Sequence, residues 1–540
     1  PMKKLFILGA LFVAAATQAQ TVWTPDLGNG KYKNPVLYAD YSDPDVIRVG
    51  DDYWLTASSF NHMPGLPILH STDLVNWELV NTVFLHQEPL ETFDKVTPGE
   101  GVWAPAIRYH NGEYYIYWGN PYEGVYMTKT TDPRGEWSKP HLVKKAEGII
   151  DTCPLWDEDG RAYLVHGWAG SCAGFKSVLS VTEMTPDGKS LFGDEVMIFD
   201  GHDDHPTVEG PKFYKRNGWY YVFAPAGGVK PGWQIVLRSR SPFGPYECRT
   251  VLHQGDTDIP GPHQGGWVDD VNGDCWFMHF VDMYAYGRVV HLQPMTWSDD
   301  DWCLIGIDRN GDGIGEPVHT YRKPAGKSEV KTPVDNDEFS DRRLGIQWQW
   351  PANPQTGWYF TNPTDGEVRL YCKHFDGVQS LWKVPNLLLQ KVNAPNYTVT
   401  TKVSFRGAYE GDRAGLVMMG RSYATLGFEY RGGKVYLTQE ECIGADKGKT
   451  AVRNSEVELE SGEAWLRCRI ELQKNDDGTP RMLCNFSYST DGKKFKPLGK
   501  SFVGREGHWI GAKIGYYATA EIVKNDGGWL DIDWFRTSAK

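Results

Sequence analysis

The chain is predicted to be all-β: a five-bladed β-propeller over about residues 30–322, then a β-sandwich of jelly-roll type over 337–540. Three observations predict it. A tight turn followed by an aromatic strand returns five times in the first part, and that rhythm stops after Tyr321-Arg322-Lys323-Pro324. From Asp337 onward come longer alternating strands separated by turns such as Asp491-Gly492. Aromatic residues reach 13%, with 22 Trp and 28 Tyr, amid many Gly, Asp and Asn turns and few long apolar runs.

Taken in order, the first element is an address. Pro1-Met2-Lys3-Lys4, the apolar run Leu5 to Ala16 and the small-residue site ending at Ala19 read as a signal peptide over 1–19. The run is too short for a bilayer span of about 20 residues, and no later segment is apolar enough. Export is therefore expected, to the periplasm or the medium, without membrane insertion.

The five turn-and-strand copies are Asp51-Asp52-Tyr53-Trp54, Asn111-Gly112-Glu113-Tyr114, Asp159-Gly160-Arg161-Ala162-Tyr163, Asn217-Gly218-Trp219-Tyr220 and Asn272-Gly273-Asp274-Cys275-Trp276. Each is followed by another strand-like stretch, as in Ile68-Leu69-His70-Ser71 and Ile235-Val236-Leu237-Arg238. Four short strands in a repeat of about 50 residues is the period of a propeller blade. The polar stretch 325–336 reads as a linker, and strands such as Tyr397 to Val403 and Leu426 to Tyr430 belong to the sandwich.

An acidic balance, 69 Asp+Glu against 56 Lys+Arg for a net charge of -13, argues against nucleic acid as a partner. The nine cysteines are scattered without CxxC spacing and are read mostly as small buried hydrophobes. Abundant aromatic rings also suit a ligand with C–H faces, such as a sugar.

The informative positions precede the aromatic markers. Asp43 lies 10 residues before Tyr53, Pro105 nine before Tyr114, Asp151 12 before Tyr163, Glu209 11 before Tyr220 and His263 13 before Trp276. Each should open the first, innermost strand of its blade, so all five should converge at one mouth of the axis. Three of them are acids with apolar, Pro or Gly neighbours. Carboxylates crowded in a partly desolvated pocket cannot all ionise, and one keeps its proton at neutral pH. A proton donor beside an ionised acceptor is the minimum for acid–base hydrolysis of an acetal.

With these residues in view, the chain resembles glycoside hydrolase family 43. The match rests on Ser42-Asp43-Pro44-Asp45, Trp103-Ala104-Pro105, Ile150-Asp151, Glu209-Gly210-Pro211, Gly261-Pro262-His263-Gln264-Gly265 and Gly287-Arg288. Asp337-Glu338-Phe339, Gly345 to Trp350 and Asp531 to Phe535 resemble the accessory domain of the family's two-domain β-xylosidases and α-L-arabinofuranosidases. The resemblance implies that Asp43 is the general base, Glu209 the general acid and Asp151 the third carboxylate that tunes and orients the acid. It implies single displacement with inversion, and carboxyl groups roughly 6.5–9.5 Å apart. Arg288 would bind the terminal sugar, and Phe60 and Trp103 would wall its subsite. His263 matches a histidine that holds a calcium in some relatives and none in others, so a structural calcium is expected as an option and no cofactor as a requirement.

The expected substrate is an oligosaccharide or polysaccharide. Ser59 to Gly65 with Gly210 to Lys215 looks most like the branch rich in arabinofuranosidases, which favours release of terminal α-L-arabinofuranose, with exo-β-1,4-xylosidase action as the alternative. A non-catalytic glycan-binding propeller is the rival from another class. Fructan hydrolases are a further rival, but their Arg-Asp-Pro triplet is missing, and Glu247-Cys248 falls late in its blade. Asp308 to Gly313 opens like a calcium loop but carries His319 at the twelfth position, and is read as a polar hairpin.

Overall fold

The computed structural model describes residues 21–523 and 525–539; the signal expected over 1–19 lies outside them. The described chain is built almost wholly of strands, and none of its helices is long and apolar enough to cross a membrane.

Five antiparallel four-stranded sheets follow one another along the chain. Blade 1 comprises Asp45–Val49, Asp52–Thr56, Gly65–Ser71 and Glu78–Phe84; blade 2 Trp103–His110, Glu113–Asn120, Gly124–Thr130 and His141–Lys145. Blade 3 comprises Ile149–Trp156, Ala162–Trp168, Val178–Met184 and Leu191–Asp200; blade 4 Lys212–Arg216, Trp219–Ala226, Trp233–Ser239 and Glu247–Leu252. Blade 5 comprises His263–Asp269, Cys275–Asp282, Arg288–Trp297 and Cys303–Ile305. The recurring turns have a backbone reason. Asn111 and Gly112, like Asn217 and Gly218, both take positive φ, and the register closes His110 on Glu113 and Arg216 on Trp219. Two consecutive positive-φ residues make the hairpin turn whose twist matches the strands it joins.

First strands of blades 1 and 2, 2 and 3, 3 and 4, and 5 and 1 pack on one another around the axis, while that of blade 5 meets the second strand of blade 4. Farther out, blade faces meet through apolar side chains. Val165 and Leu179 pack with Phe213 and Leu237, Phe223 and Val236 with Phe277 and Met295, and Val46 and Leu55 with Met278 and Leu292. Among the described residues, no blade borrows a strand from the far end of the chain. The ring closes outside the blades, where Lys31–Lys33 pairs antiparallel with Thr320–Arg322. The Asn34 side chain reinforces this seam, donating to the carbonyls of Leu292 and Val318, each at 2.8 Å.

After the ring, the polar stretch runs along blade 1. Lys323 pairs with Asp26 and Asp73, the Thr72 hydroxyl donates to the Lys327 carbonyl, and Lys331 reaches Glu78. The C-terminal part is two stacked sheets, one of eight strands and one of six. Their facing sides alternate as a half-buried strand must: Val399, Val403, Leu466 and Ile532 from one sheet meet Leu416, Phe428, Ile514 and Tyr516 from the other. The nine cysteines are all free, six buried and three half-buried. Asp308 accepts the N–H groups of Gly311 and Gly313, closing a hairpin clamped by Ile307 and Glu316.

The two parts share a core. Tyr38, Val281, Tyr286 and Val289 of the propeller belong to the same apolar cluster as the sandwich interior. Met63 exchanges backbone hydrogen bonds with Trp350, the Asn61 amide donates to Pro351, and the Ala512 N–H donates to Ala285.

Candidate active site

The innermost strands begin with an irregularity that aims side chains at the axis. Asp43, Ala104, Asp151, Gly210 and Gln264 all take positive φ, between 31 and 59°. Blades 2, 3 and 5 show register shifts there, between Trp103 and Ala106, Ile150 and Cys153, and His263 and Gly265. Left-handed backbone is unfavourable for side chains other than Gly, and its recurrence at one level of a ring marks a site where position outweighs comfort. It also refines the sequence alignment. Asp43 and Asp151 occupy the left-handed position itself, whereas Glu209 and His263 stand one residue before it and Pro105 one after. Gly210 is obligatory, since a Cβ there would come within 2.6 Å of the Gln264 side chain.

Asp43, Asp151, Glu209, Phe60, Trp103, Arg288 and His263 all line one cavity of about 290 Å³. Every candidate residue read from the sequence is therefore brought to one place. Asp43 is buried. Its Oδ2 accepts the hydroxyls of Ser42, at 2.8 Å, and Ser58, at 2.6 Å. Ser42 Oγ in turn accepts from Arg288 Nη1, at 2.7 Å, and Ser58 Oγ from the Ala104 N–H, at 2.7 Å. Donors thus converge on Oδ2, while Oδ1 has only a loose contact with Arg288 Nη1, at 3.5 Å. That oxygen can accept a proton from a water. The neighbouring acid, Asp45, is structural: it pairs with Arg108 at 2.6 Å and caps the Ile107 N–H.

Asp151 is 2% exposed. Its Oδ2 accepts the Gly210 N–H at 2.8 Å and the Gln264 amide at 3.2 Å. Burial, and then the charges of Glu209 and Asp43, push its carboxyl up to about 8, although Lys212 and the Gly210 N–H pull the other way. Glu209 is the most open of the three, with its side chain 30% exposed. Its Oε1 lies 2.8 Å from His263 Nε2, and His263 Nδ1 is buried without a partner. A buried N–H seldom goes unpaired, so the proton belongs on Nε2, donated to Oε1, which leaves Oε2 free to carry the acid proton.

Calcium takes about six to eight oxygens. Around His263, Glu209 is the carboxylate in contact, and among the described residues no three His, Cys, Asp or Glu side chains gather as a ligand set. Side chains alone do not fill a calcium shell at His263, whose remaining ligands would have to be water, and the steps proposed below use no cation.

The walls are aromatic. Trp103 is edge-on to Phe60 and to Trp509, each at 6.1 Å between ring centres, and its indole N–H is anchored on the Gly99 carbonyl. Trp509 is 41% exposed, takes positive φ and comes from the sandwich; the Arg288 guanidinium lies 5.7 Å from its ring. Sequence reasoning missed Trp509, Trp168 and Lys176, all of which line the cavity. For Trp509 a signal existed: a lone indole in a Gly-bounded loop, Gly507 to Gly511, has no strand face to fill. Glu247 starts the outermost strand of blade 4 and is exposed, far from this chemistry.

The family profile described as glycosyl hydrolases family 43 matches residues 32–303, and that of the β-xylosidase C-terminal concanavalin A-like domain matches 336–538. A relative from Xylanibacter ruminicola, whose β-xylosidase name is itself provisional, is 39% identical over 92% of this chain and 87% of its own. A β-xylosidase of Formosa agariphila is 32% identical over 96% of this chain and 92% of its own. The non-reducing end α-L-arabinofuranosidase BoGH43B of Bacteroides ovatus is 28% identical over 77% of each chain. Among solved structures, the Bacteroides ovatus xyloglucan-locus protein GH43B superposes with a TM-score of 0.81 at 26% identity, covering 94% of this chain and all of that one.

Proposed function

Because the chain belongs to glycosyl hydrolases family 43, we propose that it is an exo-acting, inverting glycosidase that releases terminal xylose from β-1,4-xylo-oligosaccharides. The cavity carries this reading: three acids at its floor and an aromatic wall, in a volume suited to a terminal sugar rather than the middle of a chain. The motifs of the sequence lean toward arabinofuranose. The xylosidase names of the relatives at 39% and 32% identity reverse that order, and α-L-arabinofuranose, supported by the Bacteroides ovatus relative, becomes the second substrate.

In the proposed reaction, a water held at Asp43 Oδ1 attacks the anomeric carbon from the face opposite the leaving oxygen. Asp43 takes the water's proton as the new C–O bond forms. The glycosidic C–O bond breaks, and Glu209 gives its proton to the departing oxygen. Asp43 ends protonated and Glu209 ionised, and solvent resets both. Arg288 and the hydroxyls of Ser42 and Ser58 hold Asp43 in place. Asp151 retains its own proton, because burial and the adjoining charges of Glu209 and Asp43 oppose its ionisation.

The test compares turnover of aryl β-D-xyloside and aryl α-L-arabinofuranoside, with NMR of the first-formed anomer. Faster xyloside turnover with an inverted product is expected; a retained anomer would sink the single-displacement scheme. Export belongs to the same proposal, and N-terminal sequencing of the mature protein should begin at Gln20.

A further inference from the structure

A cavity of about 350 Å³ lies on the sandwich, away from the three acids. It sits on the outer face of the six-stranded sheet, opposite the side that packs into the core. The Tyr517 ring is part of its floor. Gly415 and Gly427 face each other on adjacent strands, and the Tyr517 ring leans over them, so that a Cβ on Gly427 would come within 2.2 Å of the phenol oxygen. Lys373 to Leu381 forms one wall, presenting the half-buried apolar surfaces of Phe375 and Val378.

The other wall is polar. Arg413 pairs with Glu429 at 2.6 Å and approaches Glu440 at 3.7 Å, while Arg453 holds Glu440 at 2.8 Å. These charges are matched and mutually braced, so they neither call for an ionic ligand nor move freely. Arg413 Nε and Oγ1 of Thr425, a residue only 3% exposed that lines the cavity, are enclosed in this wall, where Thr425 lies against the Tyr517 phenol. A braced carboxylate and guanidinium on one wall and an apolar face opposite suit an uncharged ring rich in hydroxyls with a C–H face.

We propose that this cavity is a second carbohydrate site, which holds a pentose chain at a distance from the catalytic pocket. The choice of polymer rests on the glycosidase reading above; the site itself rests on Phe375, Val378, Arg413 and Glu440. The test uses the full chain carrying Glu209→Gln, so that ligand is not consumed, with β-1,4-xylohexaose in calorimetry and soluble xylan in affinity gels. Two binding events per chain are expected. Adding Phe375→Ala or Glu440→Gln should weaken one of them about tenfold or more and reduce gel retardation, leaving the other event unchanged. Circular dichroism and thermal midpoints check that both variants fold, and either variant alone suffices. A single event in the parent, or two undiminished events in both folded variants, overturns the proposal. Absence of aryl-glycoside turnover by the unmodified chain would instead count against the glycosidase reading, and leaves the binding result to be judged by itself.

Discussion

His263 Nε2 stands 2.8 Å from Glu209 Oε1, so the imidazole of blade 5 sets the angle of the acid that opens blade 4. Glu209→Gln should lower kcat by about 10²–10⁴-fold on xylosides with poor leaving groups and far less on those with acidic phenols, which depart without protonation. His263→Ala should show the same leaving-group dependence in milder form, about tenfold in kcat with little change in KM. Equal losses on both substrate kinds would mean that Glu209 does not protonate the leaving oxygen.

The Asp151 carboxyl is raised from 3.8 to about 8 by burial and by the adjoining charges of Glu209 and Asp43. Its folded form therefore keeps a proton that the unfolded chain releases. The sign follows: this group adds no cost below about pH 4, and stability declines as pH climbs from there toward 8, with a limiting slope of about 1.4 kcal/mol per pH unit. Asp151→Asn should remove that slope, so its thermal midpoint should gain on the parent across this window while turnover falls. Parallel midpoint curves for parent and variant would refute the assignment.

Trp509 reaches the catalytic cavity from the sandwich and touches both Trp103 and Arg288. Trp509→Ala should raise KM by about tenfold, with a smaller effect on kcat, because the ring bounds the bound sugar without joining the proton transfers. Unchanged steady-state constants would show that this wall is dispensable.

Asp40 ties three parts together. One oxygen accepts the Arg288 N–H at 2.8 Å and the other the Gly511 N–H at 3.0 Å, next to the loop that bears Trp509. Asp40→Ala strands two buried donors and should cost about 1–3 kcal/mol for each. Asp40→Asn keeps one acceptor and should fall between. Thermal unfolding measures the cost, and kcat/KM should fall with it because Arg288 and Trp509 lose a common anchor.

Much of this was legible in the chain. The Asn-Gly turns announce themselves because two positive-φ residues are needed between twisted strands, and the repeat of Tyr114, Tyr163, Tyr220 and Trp276 follows from those turns. The positions of the acids before these markers are equally readable. The one-residue offsets at Ala104, Gly210 and Gln264 are not, since a bulge changes the count without changing the composition. Trp509 stands out as a lone loop indole, but its place in the site does not. It meets Trp103 across roughly 400 residues of chain, a pairing that depends on how the sandwich docks and leaves no periodic trace. Preference between a xyloside and an arabinofuranoside is hidden for the same cause, because similar cavities differ by small shifts of wall residues.

The ring is fastened by a ribbon of three residue pairs, Lys31–Lys33 on Thr320–Arg322, at the junction of its last blade with its first. It resembles a split washer, and heat should spring it at the split. Asp43 stands on one lip of that gap and Arg288 on the other. The earliest parting would draw the arginine off the aspartate while every blade keeps its hydrogen bonds. Inactivation on warming should consequently run ahead of any loss of far-ultraviolet signal, and a disulfide stapling residues 32 and 321 should bring the two curves together.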